Sequence, residues 1–252
     1  MTEPTPGDAP ALEPLSDDDF ESVLCVVAHP DDIEYGTAAA VAKWTAQGKR
    51  VSYFLLTRGE AGIDTMPPND AGPVREAEER ASAAVVGVTE VDFGDHRDGQ
   101  VEYGLALRRD IAREVRRRRP DLVITGDYGN RFVGGMLNQA DHRAVGLAAA
   151  DAVADAGNRW IFPELLEEGL EPWNVGMLAF AGTMTPTHYV DVADHVDVAV
   201  ASLEEHAAYN AALPDTFPKP DQLVPMILDM GAKRAQVDGV THAVVLDVVN
   251  RR

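Results

Sequence analysis

Residues 26–32 read Val-Val-Ala-His-Pro-Asp-Asp, so an apolar run passes directly into an imidazole and two adjacent carboxylates. Such groups are costly to keep dry, and neighbouring carboxylates repel. The start of a helix relieves part of the crowding, because its unpaired N–H groups and its dipole favour negative charge. Pro30 suits a turn or a first helical position. His29 and Asp32 lie three residues apart across this turn, so both can face one point. Imidazole nitrogen with carboxylate oxygen suits zinc or a related divalent ion, and a catalytic zinc takes a third protein ligand and keeps one position open. Of seven histidines, His142 is the best third ligand, because it follows the fourth predicted strand and its long loop. Asp31 is then free to act as general base toward metal-activated water. The combination describes metal-assisted hydrolysis of a polarised carbonyl. On spacing alone, a plain turn with a helix cap fits the same residues.

The elements that must position these groups alternate. Apolar, β-branched runs at 22–29, 50–57, 88–95 and 121–127 read as strands, and 34–48, 74–87, 103–119 and 138–157 read as helices. Crossovers of this length imply parallel β-α-β units. The right-handed crossover rule then gives an α/β fold, a Rossmann-like, doubly wound, mostly parallel sheet in three α/β/α layers, with its site outside the carboxyl ends of the strands. Downstream, 175–184 reads as a strand, 188–196 as a strand passing into a helix and 196–213 as a helix, while 241–249 fits strand or helix. The long loops 59–73 and 128–138 should rim the site and shape a substrate pocket, the second moving on binding. Asp127, ending the fourth strand, is either site-facing or a turn residue. Asp141 either orients a ligand or caps the helix that begins near His142.

"VVAHPDDIE", "LLTRGEAG", "REAEERASAAVVGV", "RPDLVITGD" and "DHRAVG", in that order, resemble the LmbE/PIG-L deacetylase family over about residues 22–150. The family includes N-acetylglucosaminyl-phosphatidylinositol de-N-acetylases and related sugar and thiol-pathway deacetylases. The resemblance implies zinc held by His29, Asp32 and His142, with iron(II) or another divalent ion as alternatives, and Asp31 as general base. It further implies that the loop of Thr57, Gly59 and Glu60 faces the sugar, and that Arg75 and Asp98 contact substrate. In place of the family's His-Pro-Asp-His the chain has Gln139-Ala140-Asp141-His142. Gln139 can donate an N–H to an oxyanion but cannot deliver a proton. That leaves Asp31, or one of His96, His188 and His206, to protonate the leaving amine.

Composition narrows the partners. The formal net charge of −20 argues against nucleic acid and anionic membranes as main partners, and no apolar run is long enough to span a bilayer. The basic run at 113–121 reads as a solvated helix face. A single cysteine, Cys25, lies in an apolar run and favours a cytoplasmic setting and a buried, inert thiol. The acidic, Pro-rich residues 1–18 read as a disordered tail without a secretory signal, and 19–252 as one domain with a C-terminal elaboration. The expected partner is a small acetamido substrate, sugar-like or glycosylated. Alternatives are an amidase for a larger thiol conjugate or acyl amine, and a metal-binding module that has lost hydrolysis. The resemblance further implies a homo-oligomer, which the family often forms.

Overall fold

The computed structural model describes residues 10–132 and 135–251. In chain order the strands are β1 (Glu13–Pro14), β2 (Ser22–Val27), β3 (Arg50–Leu55), β4 (Glu90–Phe93), β5 (Leu122–Gly126), β6 (Met177–Ala181), β7 (His188–Asp191) and β8 (Ala243–Asn250). The helices are α1 (Asp32–Gly36), α2 (Ala38–Ala46), α3 (Pro68–Val85), α4 (Leu105–Arg118), α5 (Ala140–Gly157), α6 (Glu164–Glu167), α7 (Val196–Glu204), α8 (Ala207–Ala212) and α9 (Pro220–Ala235). Among the described residues the strands form one sheet, ordered β1-β7-β8-β6-β5-β2-β3-β4. All pairings are parallel except those of β8 with β6 and β7.

Every residue of β2 is buried, because the sheet is covered on both faces. Val23, Cys25 and Val27 enter one core with Trp44, Leu203 and Leu228, while Leu24 and Val26 enter the other with Ile111, Val115, Val145 and Ala149. This is the three-layer α/β/α arrangement, and two-sided burial explains why β2 is apolar after Ser22. From β2 the chain winds outward through β3 and β4, then returns to place β5 on the opposite side of β2. The carboxyl ends of β2 and β5 therefore flank the switch point, where doubly wound sheets open a crevice. Cys25 is fully buried, and burial pushes its thiol up.

Several local expectations change. Residues 1–9 lie outside the described residues, but 10–18 are not a mobile tail. Glu13–Pro14 pairs with β7, Leu12 and Leu15 are buried, and Asp17 accepts from Trp44 Nε1 and Lys43 Nζ, each at 2.9 Å. The 34–48 helix divides at Thr37, whose φ of −138° leaves the helical region next to Gly36. Helix α3 begins at Pro68 rather than after Pro73; Pro68 occupies the first turn, where a missing N–H costs little, and Pro73 forfeits one helical bond. The ambiguous 241–249 segment is antiparallel strand β8.

The basic run is not wholly solvated. Arg116 is buried and donates to the carbonyls of Ala156 (3.1 Å), Asn158 (2.8 Å) and Ile161 (3.0 Å), at the end of α5 and in the turn that follows it. Its neighbour Arg118 pairs with Glu90 and Asp92. Arg116→Ala is expected to lower unfolding free energy by about 2 kcal/mol, the scale for stranding buried hydrogen-bonding groups. Urea denaturation would show it as a lower midpoint with an unchanged slope.

Candidate metal centre

The turn after β2 is built by Asp32. Its Oδ2 accepts the backbone N–H groups of Ala28 (3.0 Å) and His29 (2.9 Å), which closes the strand end and aims the imidazole across the switch point. From the other side, α5 brings His142 one turn into the helix. His29 Nδ1 lies 3.1 Å from His142 Nε2 and 3.7 Å from Asp32 Oδ2, and His142 Nε2 lies 3.1 Å from Asp32 Oδ1. Ligands sharing one tetrahedral zinc sit about 3.4 Å apart, so two nitrogens and an oxygen at these spacings fit a divalent ion. Burial opposes ionisation of Asp32, yet the charge of His142 and hydrogen bonds from both histidines hold its carboxyl well below the usual range.

The ring nitrogens that face away from this point are also occupied. His29 Nε2 meets Asp98 Oδ1 at 3.0 Å and Asp141 Oδ2 at 3.3 Å, while His142 Nδ1 meets Asn138 Oδ1 at 3.2 Å. Each outer nitrogen thus donates to an oxygen, leaving the inner nitrogen as the one with a free lone pair for an ion. Burial works against the charged imidazole, but hydrogen bonds with Asp141, Asp32 and Asp98 push His29 up to about 12.

The remaining sequence-predicted residues separate into supports and near misses. Asp141 is buried and does not cap α5; besides His29 it accepts Gly99 N–H (2.7 Å) and Val101 N–H (3.1 Å), tying the loop after β4 to the helix. Asp98 supports His29 and accepts Ala61 N–H at 2.8 Å, so its carboxylate is committed to the protein rather than turned toward an open face. Glu60 accepts from Asp98 N–H (2.9 Å) and Arg58 N–H (3.2 Å), joining the loops after β3 and β4. Thr57 is fully buried and donates to Ala28 O at 2.9 Å. Arg75 is 1% exposed and lies behind the turn, bonded to Pro30 O and 3.3 Å from Asp31 Oδ1. Asp127 is a turn residue, accepting Gly129 N–H at 3.2 Å. Gln139 is exposed, immediately before α5, and makes no side-chain capping bond.

Asp31 sits beside the cluster with a left-handed backbone, φ 90° and ψ −18°. Burial pushes its carboxyl up, opposed by Arg75 and assisted by Asp32, to about 6. That value suits a group which takes and returns a proton near neutrality. The three further histidines have other partners: His96 meets Asp110 at 3.1 Å, His188 meets Thr187 Oγ1 at 2.8 Å, and His206 is sealed behind the turn, 3.7 Å from Glu34 and 3.8 Å from Glu79. In the loop after β5, Phe132 packs against His142 with ring centroids 5.5 Å apart, and residues 133–134 lie outside the described residues.

A family description, PIG-L (GlcNAc-PI de-N-acetylase), matches residues 24–153, which is more than half of the 252-residue chain and contains His29, Asp31, Asp32 and His142. The chain belongs to the PIG-L family. Family relatives include a diacetylchitobiose deacetylase from Thermococcus kodakarensis, 30% identical over 196 residues that cover 77% of this chain and 71% of that one. A second, the 1D-myo-inositol 2-acetamido-2-deoxy-alpha-D-glucopyranoside deacetylase of Kineococcus radiotolerans, is 30% identical over 208 residues, covering 68% of this chain and 54% of its own length. The fold matches that of N,N'-diacetylchitobiose deacetylase from Pyrococcus horikoshii with a TM-score of 0.81 at 24% identity, over 92% of this chain and 85% of that one.

Sequence reasoning missed Asn138, which is buried and orients His142 while donating to Asp127 O (2.7 Å) and Gly129 O (2.9 Å). Its signal was positional, four residues before a proposed ligand at a helix entry. Asn138→Ala is expected to weaken divalent-ion binding by about 10- to 100-fold, as loss of groups that orient metal-binding histidines does elsewhere. Competition with a chromophoric chelator would measure it.

Proposed function

We propose that this PIG-L family member is a metal-dependent N-deacetylase acting on the acetamido group of a sugar or small glycosylated metabolite. The observation that carries the proposal is the convergence of His29 Nδ1, Asp32 and His142 Nε2 on one point with Asp31 beside it. His29, Asp32 and His142 would hold zinc, or iron(II) in its place; a bound divalent ion polarises the amide carbonyl and acidifies water. The deacetylases of GlcNAc-containing sugars among its relatives support the substrate class.

The chain's own groups account for the proton movements. Asp31 takes a proton from the attacking water and returns it to the nitrogen as the C–N bond breaks, yielding acetate and an amine. His206 is sealed and His96 is paired with Asp110, which supports Asp31 in both roles. The Gln139 side chain, one helical turn before His142, supplies an N–H donor for the oxyanion. Asp141, Asp98 and Asn138 keep the two imidazoles in the productive tautomer and orientation.

Acetate release should be assayed with metal-loaded protein on N-acetylglucosaminides, including chitobiose and inositol conjugates. Turnover on at least one is expected, with His142→Ala losing both bound metal and activity, and Asp31→Asn keeping metal while kcat falls about 10²- to 10⁴-fold. Full metal binding without turnover on any amide would instead identify a binding module. Gln139→Ala is expected to lower kcat about 10²-fold; an unchanged kcat would remove Gln139 from the mechanism.

A further inference from the structure

Behind the turn that carries His29 and Asp32 lies a second group of ligand-type side chains, sealed from solvent. Glu34 comes from α1, Glu79 from α3 and His206 from the bend between α7 and α8, and each side chain is 0% exposed. His206 Nε2 lies 3.7 Å from Glu34 Oε2 and 3.8 Å from Glu79 Oε2, beyond hydrogen-bonding distance. Among the described residues neither ring nitrogen of His206 has a hydrogen-bond partner. Glu34 is oriented toward the imidazole: its Oε1 accepts from Ser82 Oγ at 2.6 Å, and its Oε2, on the His206 side, has no such partner among those residues. Glu79 Oε2 accepts Asp31 N–H at 3.3 Å, while its Oε1 is likewise unmatched there. Buried polar atoms are as a rule satisfied, so this concentration of unmatched ones on three converging side chains calls for a missing partner.

Charge makes the same demand. Glu34, Glu79 and the adjoining Asp31 are three carboxylates, and against them stands Arg75, 3.3 Å from Asp31 Oδ1. With a neutral imidazole, two negative charges remain in a dry region. Burial and the Glu34 charge push the Glu79 carboxyl well above its usual range, the response of a carboxylate short of positive charge.

We propose that Glu34, Glu79 and His206 hold a divalent metal ion of their own, separate from the one assigned to His29, Asp32 and His142. Two carboxylates and an imidazole suit zinc, manganese or iron(II), and one ligand atom from each lies within 4.8 Å of the others. Ligands of one tetrahedral zinc stand about 3.4 Å apart, so side-chain shifts of a few tenths of an ångström would close the group on an ion. The ion cancels the two excess charges and occupies Nε2 and the facing oxygens. With no face open to solvent, the site is structural rather than catalytic. It ties α1, which continues the His29 turn, to α3 and to the α7–α8 bend, and its histidine lies outside the residues 24–153 that carry the family match. Because the group is enclosed, the ion is taken up as the chain folds.

This proposal does not depend on the deacetylase reading, and the two fail separately. The chain is expressed in zinc-supplemented medium, purified without chelator, and its metal counted by mass spectrometry. About two divalent ions per chain are expected in wild type, and about one in His142→Ala, which empties only its own centre. Diffraction from wild-type crystals above the zinc absorption edge is expected to show an anomalous peak among Glu34, Glu79 and His206. His206→Gln is expected to lose that peak, keep the one at His29 and melt at a lower temperature. A metal-free His142→Ala protein, no peak at His206 in wild type, or both ions retained in His206→Gln would each overturn the proposal and leave the His29 centre standing. A peak at His206 with none at His29 would uphold it and remove the metal from the proposed deacetylase. Should His206→Gln fail to fold, the wild-type map decides alone.

Discussion

The site depends on one carboxylate performing two tasks. Asp32 accepts the N–H groups of Ala28 and His29 through one oxygen and presents the other to His142 Nε2 at 3.1 Å. The first task closes the end of β2 and sets the direction of His29; the second reaches across the switch point to α5. A carboxylate that accepts backbone N–H groups is held ionised at a helix start, so the fold itself stabilises the negative charge that a cation would use. Removing this side chain would strand two backbone donors as well as one ligand atom.

Around this turn, the loops after β3 and β4 are fastened to each other before either touches a ligand. Glu60 binds Asp98, Asp98 binds Ala61 and His29, and Asp141 binds both His29 and the backbone at Gly99 and Val101. Buried acidic groups thus act here as internal ties as well as charge. Arg75 and Asp98 also lie close to the reacting region, Arg75 bonded to Pro30 O and beside Asp31, Asp98 bonded to His29 and Ala61.

The parallel sheet, the helices on its two faces and the principal cluster were legible because their signals are local. An apolar strand buried on both faces has no alternation, and His29 and Asp32 are brought together by one turn. His142 was legible because topology returns the fourth strand to the neighbourhood of the first. Less legible were contacts between residues far apart in sequence with no pattern of their own. Leu12 and Leu15 are two apolar anchors inside acidic, Pro-rich surroundings. Arg116 looks like its exposed neighbours until the carbonyls at the end of α5 surround it. Glu79 acts through a partner 48 positions away, a separation that no periodicity records.

The sheet order carries a consequence for biosynthesis. Among the described residues the sheet partner of β1 is β7 alone, and β7 is joined to the rest of the sheet through β8. A nascent chain emerging from the ribosome can assemble β2 through β6 early, but its first strand has no lasting partner until the last one has arrived. Until then the outer border of β6 presents open backbone groups, a surface on which another unfinished chain could pair. Closure of the β1 side of the sheet is therefore a late event, in which β1, β7 and β8 are secured together.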